Sequence, residues 1–570
     1  MAITASTARQ ATARQATATP GQIALAVAVL AFLALFLLLP VATVVITAFR
    51  AEGSGDFTLI NFVDFASSEL FRRSFWTSLW VSTATVVLAS LFALPLAYLT
   101  SRFIFPGAIV VQTLGIIPLI MPPFVGAVAM QLLLGRNGTA NLWLNKTFGF
   151  TIPFMEGLNG VILLEAIHYF PFILVNLSAS LARIDRSMEE AAQNLGSSGV
   201  RLFRRIVLPL AMPGFVAGAL LVFVKVFDDI ATPLLLGVKD MLAPQAYLRV
   251  TSIGVADPMG YVISVVLIVI SVAALWLSSL VTRGRDYATV QRGGGGLAKQ
   301  QMTRSETIIA WGVVLLLLLI VLTPHIGLLL LSFATVWSFS PLPDGYTFAH
   351  YTRVLGESTG YIKNTLLYAG LAALIDVVLG TAIAYLVLRT RLSWRHWLDY
   401  AAMSAIAVPG VVLGIGYLRA FYGVTLPGGV PLATLWIMIV LALAVRRIPY
   451  ALRACMAALQ QVSVTLEEAA ESLGATKARS ARRILVPLMM GGIVAGFVTS
   501  FATAAVELSA TLMLVQSDAD APLAFGIYVF MQSPAGRGAG AALGVIAVVI
   551  AAAATFASYR LGQGDATARH

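Results

Sequence analysis

The feature of this chain that most restricts its fold is a series of long, continuously apolar segments. A helix needs about 20 such residues to cross a bilayer. The composition agrees, since 59% of the 570 residues are hydrophobic, 11% are charged and the mean hydropathy is +0.88. These values exclude a water-soluble globule, and the segment lengths exclude a transmembrane barrel of short alternating strands. The sequence predicts an all-α polytopic membrane protein with about twelve transmembrane helices, at residues 22–48, 75–100, 108–134, 158–182, 213–237, 262–282, 307–334, 364–388, 398–421, 432–457, 491–516 and 539–559.

The predicted helices divide into two halves of six. Between the halves, residues 283–305 contain four consecutive glycines among polar and basic residues, which is typical of a flexible linker. Because six spans return a chain to its starting side, both halves enter the membrane in the same sense, as parallel repeats. A solute path is then expected between them. The predicted domains are a disordered cytoplasmic tail (1–21), a first transmembrane domain (22–282), a cytoplasmic linker (283–305), a second transmembrane domain (306–560) and a cytoplasmic tail (561–570).

Internal matches indicate that one domain is repeated. The octet EEAAQNLG at residues 189–196 returns 278 positions later as EEAAESLG at residues 467–474. Pro122 matches Pro409 at an offset of 287, as does the tripeptide Ala-Tyr-Leu at 97–99 and 384–386. The difference of nine residues falls after the third span, where the first half has a longer polar external loop.

Each octet is expected to form a short helix in a basic loop. Ser187 and Thr465 stand three residues before Glu190 and Glu468, a spacing that predicts two capping boxes. The glycine that ends each octet suits the left-handed turn that terminates a helix. The paired alanines leave a small, smooth face that can enter a groove of another protein. An ordinary amphipathic loop helix is the alternative, but identical spacing in two copies favours docking, by Glu189, Glu190, Ala191, Ala192, Gly196, Glu467, Glu468, Ala469, Ala470 and Gly474.

This repeated pattern resembles the cytoplasmic signature of binding-protein-dependent ABC importer permeases of the type I fold, over nearly the whole chain. In both halves the octet is followed by an isoleucine and then by a proline, Pro209 or Pro487, with Val486 the one conservative departure. The resemblance implies that each octet is a coupling helix seated on one of two copies of an ABC ATPase. It also implies a periplasmic or lipid-anchored solute-binding protein as a partner, and a bacterial inner membrane as the location.

Charge predicts the orientation, because short loops rich in Lys and Arg stay in the cytoplasm. Twelve spans with the basic loops inside place both termini in the cytoplasm. Most of the 37 Lys and Arg residues fall in these inner segments. The net charge of +11 therefore reflects membrane insertion and contact with the lipid bilayer, and nucleic acid is not an expected partner.

Nothing in the sequence predicts catalysis. A phosphate-binding loop needs Gly-Lys followed by Ser or Thr, and none of the six lysines follows a glycine. ATP and Mg²⁺ are thus expected on a separate subunit, and no cofactor is expected in this chain. The five histidines are scattered, and the single cysteine, Cys455, is expected to be a buried packing residue.

Ionisable residues inside spans are costly and so are candidates for function. The fifth span of the first half carries Lys225, Asp228 and Asp229, and Glu507 occupies the position that matches Asp229 at an offset of 278. These acids are candidates for a cation path, and Asp229 and Glu507 for a metal site. In the alternative, Lys225 pairs with an Asp one turn away, and Glu507 caps a helix or forms an ion pair.

Both third spans are interrupted by helix-breaking residues, at Pro122 and Pro123 and at Pro409 and Gly410. Matched breaks near mid-membrane point to the translocation path, because the freed backbone groups must face water or protein. Simple packing kinks are the alternative. Four residues of the fourth spans are weaker candidates: Glu165, His168, Arg446 and Arg447.

The segments FDDIATPLLLG and VELSATLML resemble permeases of the ferric-iron importer group, which is close to those for polyamines, thiamine, sulfate and organophosphonates. Ferric iron is therefore the expected substrate. A proton-coupled secondary transporter is the competing class, since it could also use two parallel halves and membrane acids, but the repeated docking loops disfavour it. A scaffold without transport is a third possibility.

Overall fold

The computed structural model describes residues 19–51, 55–104, 107–182, 184, 186–283 and 300–567. Most of the predicted N-terminal tail and of the linker lies outside these ranges. The regular structure of the described residues is helical, apart from three isolated β-bridges and one parallel pair of two-residue strands, β1 (Phe103–Ile104) and β2 (Gln300–Gln301). The predicted all-α polytopic fold is confirmed.

The described residues of the first half form fourteen α-helices. Short π-helical turns at Ala34–Leu38 and Phe203–Val207 continue the first and fifth spans, and a 3₁₀ turn at Ile117–Ile120 ends the first part of the third. The helices are α1 (Pro20–Leu33), α2 (Leu39–Ala48), α3 (Ile60–Ser67), α4 (Glu69–Arg102), α5 (Ala108–Ile116), α6 (Pro123–Leu134), α7 (Thr139–Phe148), α8 (Gly157–Leu181), α9 (Arg186–Asn194), α10 (Gly199–Leu202), α11 (Leu208–Phe227), α12 (Ala231–Leu235), α13 (Leu242–Ser252) and α14 (Pro258–Arg283).

The second half repeats this order. It has a π-helical turn at Ala481–Leu485 and 3₁₀ turns at Ala405–Ala407, Leu432–Thr434, Asp518–Asp520 and Pro534–Gly536. Its helices are α15 (Arg304–Phe333), α16 (Ala349–Glu357), α17 (Thr359–Arg389), α18 (Arg395–Ser404), α19 (Gly410–Phe421), α20 (Trp436–Gln461), α21 (Val464–Ser472), α22 (Lys477–Ser480), α23 (Val486–Leu488), α24 (Met490–Ala505), α25 (Thr511–Leu514), α26 (Leu523–Gln532) and α27 (Arg537–Thr567).

The described helices account for the predicted spans. Eight are long and apolar enough to cross a membrane, and the number is eleven if each of three bent helix pairs forms one span. Eleven of the twelve predicted spans have a counterpart among them. The remaining one, 432–457, coincides with α20, which carries Arg446, Arg447 and Arg453. At the C-terminus α27 runs to Thr567, so most of the predicted tail is helical.

The third spans break where the prolines predict. The chain bends by 102° between the helices before and after Pro122, and by 107° at the equivalent Pro409. Both prolines are extended, with ψ of 146° and 147°, and each is the N-cap of the helix that follows. The fifth spans were predicted to be continuous, and this was wrong. They are interrupted between α11 and α12 and between α24 and α25, at the intramembrane acids.

Packing joins the two halves through their first spans. Within each half, the second, fourth and fifth spans pack together as α4, α8 and α11 or as α17, α20 and α24. The first span of each half instead packs on the broken third span of the other, α2 on α19 and α15 on α6. Glycine permits this close approach, since a Cβ on Gly416 would lie 2.6 Å from the Pro40 carbonyl oxygen, and one on Gly126 2.9 Å from Pro324 Cβ.

Candidate translocation path and docking helices

The two octets form short helices with the same C-terminal geometry. In α9 the Ser197 amide donates to the Ala192 carbonyl at 2.9 Å, and in α21 the Ala475 amide donates to Ala470 at 3.0 Å. Gly196 and Gly474 are left-handed, with φ of 82° and 85°, as a Schellman turn requires. The predicted turns at both glycines are confirmed.

The predicted capping boxes are wrong. α21 begins at Val464, so Thr465 lies inside the helix, and Ser463 caps it by accepting from the Thr465 amide at 3.3 Å. α9 begins at Arg186, which places Ser187 inside that helix as well. In α21 the cap, Ser463, lies two residues nearer the preceding span than the predicted Thr465.

Each docking helix has an inner face and an outer face, and the division is the same in both copies. Glu189 and Ala192 in α9 are buried, and Ala470 and the partly buried Glu467 take the inner positions in α21. Glu190, Ala191, Glu468 and Ala469 are exposed. The leucine before each glycine is exposed too, Leu195 at 88% and Leu473 at 89%. An apolar side chain this exposed, at equivalent places in both copies, marks a surface that suits a protein partner.

The inner glutamate of each docking helix is ion-paired to the end of a second span. Arg389 at the end of α17 donates from Nε to Glu467 Oε1 at 2.6 Å, and from Nη2 to the Leu459 and Val462 carbonyls at 3.1 and 2.6 Å. Arg102 at the end of α4 pairs with Glu189 through Nη2, and all four side chains are at most 14% exposed. Buried charges are retained only when paired and hydrogen-bonded, so each pair holds its docking helix on its second span.

A central cavity of about 330 Å³ is lined by the broken third span of the first half and by the fourth and fifth spans of both halves. Five of the predicted path residues line it, namely Pro122, Pro123, Asp228, Asp229 and Glu507. Pro409 lines a smaller adjoining cavity, and Gly410 contacts Asp228. Much of the lining comes in equivalent pairs, such as His168 with Arg446 and Asp229 with Glu507, both 278 positions apart. The cavity therefore lies on the pseudo-symmetry axis between the halves.

Arg446 links the two halves inside this cavity. Its Nη2 lies 3.0 Å from Asp228 Oδ2, on the first half, and its Nη1 lies 2.5 Å from Glu507 Oε1. Asp228 also accepts the Gly410 amide at 2.9 Å. Glu507 accepts the Ala510 amide at 3.0 Å, so it both caps a turn and forms an ion pair, as the packing alternative supposed. We call Asp228, Arg446 and Glu507 the ionic bridge.

The remaining acids do not form the predicted metal site. Asp229 Oδ1 accepts the Ala231 amide at 3.0 Å, and this carboxyl lies beside the fully buried Glu165. Among the described residues no three His, Cys, Asp or Glu side chains are grouped so that they could hold a metal ion. The proposed pair of Lys225 with an Asp is also not formed in the described part of the chain, because Asp228 turns to Arg446.

Gly410 must be a glycine for the ionic bridge to form. A Cβ at this position would overlap the Arg446 guanidinium and lie 2.7 Å from Ser509 Cβ. We expect Gly410→Ala to destabilise the protein by about 1–3 kcal/mol, since overpacking a filled site displaces its neighbours, and to reduce transport. Thermal unfolding and uptake would measure this. Gly423→Ala is the matched control because a Cβ there meets nothing within 4 Å, and equal effects of the two changes would contradict the argument.

Sequence reasoning undervalued Arg446 and missed Arg102 and Arg389. The signal for the last two was present, since the matched Ala-Tyr-Leu segments are followed three residues later by an arginine in both halves. Arg446 gave no such signal, because its counterpart is His168 and its partners Asp228 and Glu507 are 218 and 61 positions away.

Comparison with known proteins agrees with this geometry. A ferric transport system permease protein of Actinobacillus pleuropneumoniae is 26% identical over 451 residues, 77% of this chain and 64% of its own length. A Haemophilus influenzae protein named as a ferric transport system permease is 26% identical over 453 residues, 78% of this chain and 71% of its own. The Escherichia coli K12 molybdenum transport system permease protein is 32% identical over 154 residues, 26% of this chain and 66% of its own.

The family described as binding-protein-dependent transport system inner membrane component matches residues 65–287 and 376–564. One matched segment lies in each half and contains the docking helix of that half. This agrees with the type I permease fold implied by the resemblance. Since the two segments cover more than half of its length, the chain belongs to the family of binding-protein-dependent transport system inner membrane components.

Proposed function

We propose that this chain is the transmembrane permease subunit of an ATP-driven ferric-iron importer in a bacterial inner membrane. Two copies of an ABC ATPase subunit bind its two docking helices on the cytoplasmic side, and ATP and Mg²⁺ bind those subunits. A periplasmic or lipid-anchored protein delivers the iron at the opposite face. Both termini are cytoplasmic.

The observation that carries this proposal is the equivalence of the two docking helices. Both present an exposed glutamate and alanine, and both end in an exposed leucine, Leu195 or Leu473. Both are fixed to their own second span by a buried ion pair. Two identical surfaces on one chain fit two copies of the same partner. A secondary transporter needs no such surfaces.

The central cavity supplies the solute path. Its lining comes from equivalent positions of both halves, so relative movement of the halves opens or closes it, as alternating access requires. The ionic bridge joins the halves at this point and acts as a gate in the closed state. Its groups bond to each other and to backbone amides, so opening requires that these contacts be exchanged for water or solute.

Ferric iron is proposed as the substrate because the two ferric transport relatives match 77–78% of this chain, and so both of its halves, whereas molybdenum transport relatives match 25–43%. The acids of the ionic bridge are bonded to Arg446, so they are not free to act together as ligands of a bare cation. The substrate choice therefore depends on the delivering protein, and the path accommodates what that protein releases.

The test of this function is the double substitution Glu190→Ala with Glu468→Ala. Both glutamates lie on the exposed faces of the docking helices, so the variant protein should still insert into the membrane. We expect uptake of radioactive ferric iron to fall by roughly tenfold or more, which corresponds to a loss of about 1.4 kcal/mol or more in coupling free energy. Copurification of the ATPase should weaken in parallel. Uptake that persists in the variant, or that follows a pH gradient without any ATPase, would reject the proposal.

A further inference from the structure

The two symmetry-related corners of the central cavity differ in charge. One corner is formed by Lys225, Arg446, Arg447 and Tyr450, and all four line the cavity. The equivalent positions 278 residues away are occupied by Thr503, His168, Tyr169 and Phe172, which line the other corner. A dimer of identical halves could not make the corners different, whereas a fused chain can. We call the first corner the cationic corner.

Two of the three cations in this corner lack an acidic partner. The bridge acids Asp228 and Glu507 are both bonded to Arg446. In the part of the chain that the structure describes, neither Lys225 nor Arg447 forms an ion pair with a carboxylate. The Tyr450 phenol is their main compensating group, and Asp228, Glu507 and Asp376 act on them only from a longer distance. Arg447 is 6% exposed, and its Nε has no hydrogen-bond partner. A buried cation with unused donors is costly unless an anion compensates it.

A small cavity lies at this corner. Its volume is about 40 Å³, and Lys225, Arg447 and Tyr450 line it together with the two bridge residues Asp228 and Arg446. At about 10–15 Å³ for each water-sized group, it has room for roughly three such groups, which is the scale of a small oxyanion. The Arg447 guanidinium lies 6.0 Å from the centre of the Tyr450 ring, so the phenol and the two cations surround the same space.

We propose that the cationic corner is a subsite for a small oxyanion of the phosphate, sulfate or carbonate class. Lys225 and Arg447 supply the charge, and Tyr450 supplies a hydroxyl donor. Guanidinium and ammonium groups bond oxyanions through short, charge-assisted hydrogen bonds. The anion is either free or coordinated to the transported metal ion. In both cases its negative charge compensates the positive charge of the cationic corner. The second of these cases rests on the proposed function, whereas the subsite itself does not.

The experiment measures binding of radioactive inorganic phosphate to the purified transporter with its ATPase subunits in lipid nanodiscs, without nucleotide or binding protein. Sulfate and bicarbonate serve as competitors. We expect saturable binding that Lys225→Met and Arg447→Met each weaken by roughly tenfold or more, the loss typical of one charge-assisted hydrogen bond. Lys225→Arg should retain it. No saturable binding of phosphate and no effect of the competitors, or equal binding in wild type and variants, would overturn the subsite.

Arg453→Met is the matched control, because Arg453 lies on the same helix, is 55% exposed and does not line either cavity. Binding should be unchanged in it, and a loss equal to that of Arg447→Met would overturn the assignment. A second measurement of ferric-iron uptake separates the two sources of the anion. Phosphate binding and uptake that fall together indicate an anion that travels with the metal, whereas uptake that persists indicates a free anion. Because the binding assay needs no transport, it stands even if the iron proposal fails.

Discussion

Replacing Arg446 with methionine is expected to destabilise the protein by about 3–5 kcal/mol, the usual cost of removing one partner from a buried ion pair. Here one change leaves two carboxylates without their cation, because Arg446 bonds both Asp228 and Glu507 at 3.0 and 2.5 Å. The two halves also lose their ionic link across the cavity. Thermal unfolding in nanodiscs would measure the loss of stability, and radioactive iron uptake would measure the effect on transport.

Two further variants make this result specific to the ionic bridge. Arg446→Lys keeps the charge but cannot reach both acids with a planar fork, so partial recovery is expected. Arg453→Met removes an arginine from the same helix, where the side chain is largely exposed and its pair with Asp399 is 3.7 Å long. We expect little change in that control, since such surface pairs contribute about 0–1 kcal/mol. If Arg446→Met were as stable as Arg453→Met, the bridge would not hold the halves together.

Loss of the two docking-helix ion pairs is expected to separate ATP hydrolysis from transport. In the double variant Arg102→Met with Arg389→Met, the inner glutamates Glu189 and Glu467 lose the groups that fix them to the second spans. The outer faces of the docking helices are unaltered, so the ATPase subunits should still bind. Uptake should fall by at least roughly tenfold, since about 1.4 kcal/mol of lost coupling already has that effect. ATP hydrolysis and uptake measured on one preparation would test this.

Charge exchange provides the critical control for this second prediction. Arg389→Glu with Glu467→Arg restores an opposite pair at the same place, and partial recovery of uptake is expected. Recovery should be incomplete because Arg389 also donates to the Leu459 and Val462 carbonyls. Arg391→Met, two residues away and exposed, should transport normally. A double variant that loses the ATPase subunits altogether would show that the pairs maintain the docking surface and do not transmit its movement.

Local sequence signals predicted the elements of this protein but not its contacts. Pro122 and Pro409, each followed by a second helix-breaking residue, predicted both broken spans, whereas single prolines such as Pro171 and Pro449 lie inside continuing helices. Gly196 and Gly474 predicted the left-handed turns for a similarly local reason. The capping box at Thr465 failed because Ser463, two residues earlier, caps α21 by accepting the Thr465 amide, which places Thr465 inside the helix. The break in each fifth span was missed because apolar residues surround the acids on both sides.

Three sequence features were enough to establish a two-half, all-α membrane protein with two equivalent docking helices. They are the length of the apolar segments, the constant spacing between the two repeats, and the repeated octets. These features depend on residues close together in the chain, where helix formation and burial in lipid follow from composition. The partners of the charges were decided only by the tertiary structure. Arg446 meets Asp228 across 218 positions, and Arg389 meets Glu467 across 78. Which acid an arginine neutralises in a medium of low dielectric depends on distance in space, and only the packing of the helices sets that distance.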